Sequence, residues 1–158
     1  MLILTLILAG GFTRADIVAR YQTDYVASST AGQTRTDRSA DGWNYQWNSA
    51  GAIGTASNYS NLVWNTTATL DGQTGGYTAN SSQYPEVSTA NYVGLFANGV
   101  GHPGVGSGQP GSGGIDRYAI AAYTIQTGEA GSATLSDGVL SNTGSAVDLS
   151  IYVNNTLI

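Results

Sequence analysis

Three aromatic residues at alternate positions, Trp43, Tyr45 and Trp47, are the first feature of this chain that could do chemistry. On a strand they share one face. Flat rings with polar edges stack on the apolar faces of sugars. Trp64, Tyr59 and Tyr84 could extend such a glycan platform. The same rings would serve equally as one wall of a core, because aromatics bury more area than other side chains.

The titratable residues assemble no site on their own. His102 is the single histidine, and it sits in a Gly/Pro-rich stretch. A zinc set would need further His or Cys ligands, and the chain has no cysteine. A general base would need a nucleophile and an orienting carboxylate beside it. Asp116 is the nearest acid in sequence, and His102 reads as a residue that fixes its loop. Glycoside hydrolysis needs two acids at a defined separation. Asp37, Asp41, Glu86 and Glu129 are scattered along the chain. Calcium takes oxygen ligands, and Asp37, Asp41, Asp137 and Asp148 are candidates without an alternating-Asp loop. Asp71 with Gly72, and Asp137 with Gly138, read first as turn formers. The glycine-rich stretch lacks the strand, helix and Lys of a phosphate-binding loop. The expectation is a protein that is not an enzyme and needs no cofactor, with structural calcium the open alternative.

Composition narrows the partners. The 158 residues carry a net charge of −5, which argues against nucleic acid and anionic membrane surfaces. Charged residues are only 9%, and every cation is Arg. With 41% apolar residues the chain can build a core. Its 22 glycines and ten tyrosines, among many Ser, Thr and Asn, suit an all-β extracellular protein rich in turns.

The N-terminus predicts export. Leu2 to Leu8 is an apolar run too short to span a bilayer. Thr13 and Ala15 are small residues ahead of a cut before Asp16, so residues 1–15 read as a signal peptide. No basic residue precedes the run, and a buried first strand is the alternative. The mature chain is expected to be secreted or at the cell surface, without membrane insertion.

The elements that must position the aromatics are strands. Asp16 to Ala27 is β-branched and aromatic enough for one. Residues 28–42 and 48–60 read as loops. Trp43 to Trp47 alternates strictly, Asn61 to Trp64 and Thr67 to Leu70 are short strand candidates, and Gly75 with Gly76 separates them from an irregular stretch starting at Tyr77. Tyr92 to Phe96 is a strand, and residues 99–114 are a long glycine-rich loop with no regular element. Ile115 to Ile125, Gly131 to Gly138 and Ala146 to Val153 form an antiparallel meander. Its last run alternates, with Val147, Leu149, Ile151 and Val153 on one face. Asn154 and Asn155 tolerate the positive φ of a two-residue turn. Thr156 to Ile158 then opens a partner strand, so the domain reads as truncated at its C-terminus. No helix is expected after residue 15. The pattern predicts one all-β domain over 16–158, an antiparallel two-sheet β-sandwich.

The order of several short motifs carries a resemblance. Trp43, Tyr45 and Trp47 come first; His102, Pro103 and Gly104 follow in a glycine-rich loop. Arg117 to Ile120, Gly131 to Leu135 and Ile151 to Asn154 complete the series. The series resembles secreted bacterial jelly-roll domains similar to carbohydrate-binding modules, of the kind found in exported PEP-CTERM-type surface proteins. That resemblance implies a jelly-roll sandwich, an extracellular location and a polysaccharide or surface glycan as partner. The chain itself carries no Pro-Glu-Pro motif. The expected function is a non-catalytic, glycan-binding surface module. The alternatives are a structural or adhesive protein without glycan affinity and, behind it, a hydrolase.

Overall fold

The computed structural model describes residues 19–28, 30–35, 42–70, 72–79, 93–108, 112–125 and 150–158. Among them the chain is mostly strand, in antiparallel sheets, with one short α-helical turn, α1 at Tyr21–Asp24. The strands are β1 Trp43–Trp47, β2 Ser60–Asn61, β3 Val63–Leu70, β4 Gln73–Thr78, β5 Gly94–Leu95, β6 Gly101–His102, β7 Ala119–Tyr123, β8 Tyr152–Val153 and β9 Thr156–Leu157. They form three sheets, in the orders β2-β1-β7, β3-β4-β5-β6 and β8-β9. The all-β expectation holds at this level.

β1 forms where strict alternation places it. It lies between β2 and β7, with Trp43 opposite Tyr123 and Trp47 opposite Ala119. Leu62 is the corner between the two larger sheets. Its N–H donates to Tyr45 O at 2.9 Å, while the next residue opens β3 and pairs with Thr78 of β4. Its side chain is fully buried at that crossing. One continuous run, 60–70, therefore serves both sheets, which is how a chain turns a corner without leaving backbone groups unpaired. The two short strands expected there are this run.

Both larger sheets supply the core. Trp43, Tyr45 and Trp47 come from one, Trp64, Tyr77 and Leu95 from the other, with Leu62, Ala79 and Val93 between them. A smaller cluster pairs Phe96 with Ala68, flanked by Leu70 and Val100. β3 carries a bulge between Asn65 and Thr69. There the Asn65 side-chain oxygen accepts from Thr67 N at 3.0 Å and Ala68 N at 3.2 Å, replacing ladder bonds that the bulge breaks.

Several expectations are corrected. Gly75 and Gly76 do not separate strands; they lie inside β4. The reason is packing. A Cβ at Gly75 would come within 2.7 Å of the Trp64 ring, and one at Gly76 would run into the Phe96 ring. The rings lie flat on bare backbone, which only glycine allows. The stretch starting at Tyr77 is regular for two residues, because Tyr77 and Thr78 complete β4. Residues 19–27 are not a strand: they hold the α1 turn, while 16–18 lie outside the described residues. The loop over 28–42 contributes a bridge from Thr34 to Val63. The glycine-rich stretch contains β6, which pairs His102 with Gly94. Tyr92 to Phe96 shortens to β5, and Ile115 to Ile125 to β7.

The turn at the chain's end matches its sequence. Asn154 and Asn155 have φ of 49° and 66°, and β9 returns so that Val153 pairs with Thr156 and Tyr152 with Leu157. The ribbon docks on the loop before β2: the Tyr152 ring lies 3.3 Å from where a Gly54 Cβ would stand. The rest of the expected closing meander, residues 131–138 and 146–149, lies outside the described residues, as does the segment 1–15.

Replacing Gly76 by Ala should destabilise the fold by about 1–3 kcal/mol through overpacking against Phe96. Gly108→Ala, where nothing stands within 4 Å of the new Cβ, should change stability by less than about 0.5 kcal/mol. Urea unfolding of the two variants checks this, and equal midpoints would refute the packing account.

Candidate functional site

The aromatic row is walled in. Trp43 is 8% exposed, Tyr45 and Trp47 0%, and Trp64 7%. Stacking on a sugar needs an open ring face, and these faces are filled by protein. As a platform the row is corrected to core wall. Tyr84 lies outside the described residues. Tyr59 is half-buried, and its hydroxyl accepts from Gly54 N at 2.7 Å.

The cover comes from residues 19–28, which sequence reasoning took for an ordinary strand. One helical turn places Tyr21 and Tyr25 on the same side, four residues apart. Tyr25 stacks on Tyr45 with centroids 5.6 Å apart and planes 17° from parallel. Tyr21 meets Trp43 and Tyr45 edge-on at 5.7 and 5.8 Å. Each phenol reaches a distant backbone carbonyl: Tyr21 donates to Phe96 O at 3.0 Å and Tyr25 to Leu95 O at 3.3 Å. Tyr77 donates back to Val26 O at 3.1 Å. Asp24 closes the turn, accepting from Arg20 N at 2.7 Å and from the Trp43 indole at 3.2 Å. The signal in the sequence was the spacing of Tyr21, Asp24 and Tyr25, which is helical rather than alternating.

Burial decides the acidity of this cluster. Desolvation pushes the Tyr21, Tyr25 and Tyr77 hydroxyls up from the ordinary phenol range. Tyr45 is pushed up to about 12, chiefly by desolvation, with Arg35 pulling the other way. Its hydroxyl is buried with no hydrogen-bond partner among the described residues. For Asp24, desolvation alone would raise the carboxyl. The hydrogen bonds from Arg20 N–H, Trp43 and Thr23, together with the Arg20 charge, outweigh it and hold the group below its usual range.

A second polar node, also missed from sequence, anchors the glycine-rich stretch. Arg117 is buried, with its guanidinium 5.6 Å above the Trp47 ring. It donates to Asn48 O at 2.6 Å and Ser49 O at 2.8 Å. Asn48, fully buried, donates to Gly51 O and Asp116 O and accepts from Tyr118 N. Asp116 accepts from Ser107 N at 2.6 Å, and Gly104 N donates to Arg117 O at 2.9 Å. A Cβ at Gly104 would sit 2.7 Å from the Arg117 Cβ, so glycine is required there. The node binds the end of β1, the start of β7 and the glycine-rich stretch into one unit.

His102 sits on β6, half-buried, apart from this node's hydrogen bonds. The acids weighed for calcium or hydrolysis, Asp37, Asp41, Asp137, Asp148, Glu86 and Glu129, lie outside the described residues. Among the described residues no three His, Cys, Asp or Glu come together as a metal-binding group. No described helix is long and apolar enough to cross a membrane.

Two outcomes follow from these protonation preferences. The folded Asp24 carboxyl sits below its unfolded value of about 3.9, so its contribution is complete above that pH and is lost as pH falls through the lower folded value. Asp24→Asn should therefore cost stability at neutral pH, and the gap from wild type should close between about pH 5 and about pH 2. A gap in urea midpoints that ignores pH would refute this. At the alkaline end, Tyr21, Tyr25, Tyr45 and Tyr77 should stay neutral beyond the ordinary phenol value of about 10 and ionise only as the fold opens. Phenolate absorbance and near-ultraviolet circular dichroism should then change together for this subset. No family model matches this chain, and no curated protein or solved structure matches it either.

Proposed function

We propose that the chain is a non-catalytic structural or adhesive module of the extracellular surface, built as a jelly-roll-like β-sandwich. One observation supports this reading above the others. The rings that would have stacked on a glycan are buried, while the large apolar side chains of the terminal ribbon stand in solvent. Val153 is 52% exposed, Leu157 60% and Ile158 70%. The ribbon is a two-stranded sheet, and neither outer edge pairs with another described strand. An edge with open N–H and C=O groups beside apolar side chains is a template for pairing with another sheet. The low charge of the chain puts little repulsion in the way. The export-like start and the resemblance to secreted bacterial surface domains supply the location.

Glycan binding is the second reading. It rests on that resemblance alone and would use a surface other than the Trp43, Tyr45 and Trp47 row. The hydrolase reading needs acids that the described residues do not bring together, and it is not carried further.

Light scattering of the unaltered chain should show association that rises with concentration. Val153→Lys with Leu157→Lys should suppress it at least several-fold while leaving the urea midpoint within about 0.5 kcal/mol. A strictly monomeric unaltered chain would overturn the adhesive reading. Saturable binding on a glycan array by the same preparation would favour the second.

A further inference from the structure

Residues 19–28 meet the rest of the described fold in an unusual way. Their backbone-to-backbone bonds stay within the segment: Thr23 and Asp24 N–H to Arg20 O, and Tyr25 N–H to Tyr21 O. Everything that fastens the segment to the sheets involves a side chain. These fastenings are the phenols of Tyr21 and Tyr25 on Phe96 O and Leu95 O, the Tyr77 hydroxyl on Val26 O, and Asp24 on the Trp43 indole. The first strand-like anchoring comes a few residues later, where Gly32 N donates to Trp64 O at 2.8 Å and Trp64 N to Gln33 O at 2.7 Å. A short connection, with Gly32 at φ +80°, thus joins a side-chain-fastened segment to a backbone-fastened one.

What the segment fills is a specific seat. One phenol lies parallel to Tyr45 and edge-on to Tyr77, with its hydroxyl on Leu95 O. The other lies edge-on to Trp43 and Tyr45, with its hydroxyl on Phe96 O. Beside them the Trp43 indole N–H donates to the Asp24 carboxylate. The occupant this seat selects is two hydroxyl-bearing rings four residues apart on a helical turn, with a carboxylate just before the second.

We propose that residues 19–28 are an exchangeable strap, and that the two-tyrosine seat they fill also accepts the strap of a second copy of this chain. An identical chain carries the matching occupant, so the exchanged form keeps every contact of the closed one. The balance between them is then set by the connection after Ser28 and by protein concentration, the conditions under which segments swap between protomers. Strap exchange does not rest on the sheet-edge association proposed above, since it uses the opposite end of the chain.

The chain has no cysteine, which makes a covalent test clean. A Cβ placed at Gly99 would stand 3.9 Å from the Gln22 Cβ, within the roughly 3.5–4.5 Å that a disulfide spans. Full-length Gln22→Cys and Gly99→Cys chains, mixed at high concentration and oxidised, should cross-link to each other. This disulfide, joining the strap of one copy to the seat of the other, should form in several-fold excess over the two homodisulfides. Placing both changes in one chain should lock the strap and leave a monomer. Only homodisulfides, or no cross-link, would overturn the proposal. Gly99 has φ +77°, so its replacement is strained. A second measurement therefore uses the unaltered chain. Light and heavy isotope-labelled chains, mixed and examined by native mass spectrometry, should form mixed dimers that a synthetic peptide of residues 19–28 dissolves. The same dimers should persist in the Val153→Lys, Leu157→Lys chain. Absence of mixed dimers, or dimers indifferent to the peptide, would overturn strap exchange and leave the sheet-edge reading standing.

Discussion

The structure depends on keeping water away from one tyrosine. Tyr45 sits on the central strand of its sheet with its ring in contact with Tyr21, Tyr25 and Tyr77. Burying its hydroxyl without a partner costs about 1–3 kcal/mol. Each aromatic pair returns about 0.5–1.5 kcal/mol beyond area burial. The buried ring area adds about 25 cal/mol per Å2. The ring terms win only if all three neighbours are present. That condition ties together both larger sheets and the strap: Tyr77 comes from β4, Tyr21 and Tyr25 from residues that no sheet holds. Loss of any one neighbour weakens the offset while the hydroxyl's cost stays.

Glycine is the counterpart of these rings. Much of the glycine in the chain looks like turn material, and Gly72, Gly99 and Gly32, with positive φ, serve that way. Gly75, Gly76, Gly94 and Gly104 do something else. At each, a Cβ would collide with Trp64, Phe96, or the Val93 and Arg117 side chains. Broad side chains pack here against bare backbone rather than against other side chains. The polar side of the fold follows a similar pattern. Asn48, Asn65, Tyr21, Tyr25 and Arg117 all bond to backbone groups rather than to charges. Bonds of this kind are less sensitive to salt than surface ion pairs, which suits a chain with so few charges.

What was legible in the sequence was local. The strand at 43–47 follows from alternation, and the turn at Asn154 and Asn155 from the tolerance of Asn for positive φ. β4 was not legible, because the reason for two adjacent glycines inside a strand lies on Trp64 and Phe96, one of them across the hairpin and the other just past β5. Arg117 and Asn48 were not legible as a pair because 69 residues separate the atoms that bond. The helical spacing of Tyr21 and Tyr25 was present, yet a single turn is too short to stand out against β-branched and aromatic neighbours that favour strand. The candidate site suffered most. Alternation assigns Trp43, Tyr45 and Trp47 to one face but cannot say whether that face looks inward.

That ambiguity is physical as well as predictive. A face of closely spaced rings is attractive to any flat, partly apolar occupant, whether sugar or tyrosine. The two differ in how the occupant is delivered. Tyr21 and Tyr25 are held next to the seat by a short connection, so their effective concentration there is set by the chain and not by solution. A free ligand must outcompete two stacked or edge-on rings, two phenol hydrogen bonds and the Asp24 contact to Trp43 at once. The row is therefore closed by its own chain under ordinary conditions. What remains for contact with other molecules in the described fold is the exposed ribbon at one end and, where the strap lifts, the seat at the other.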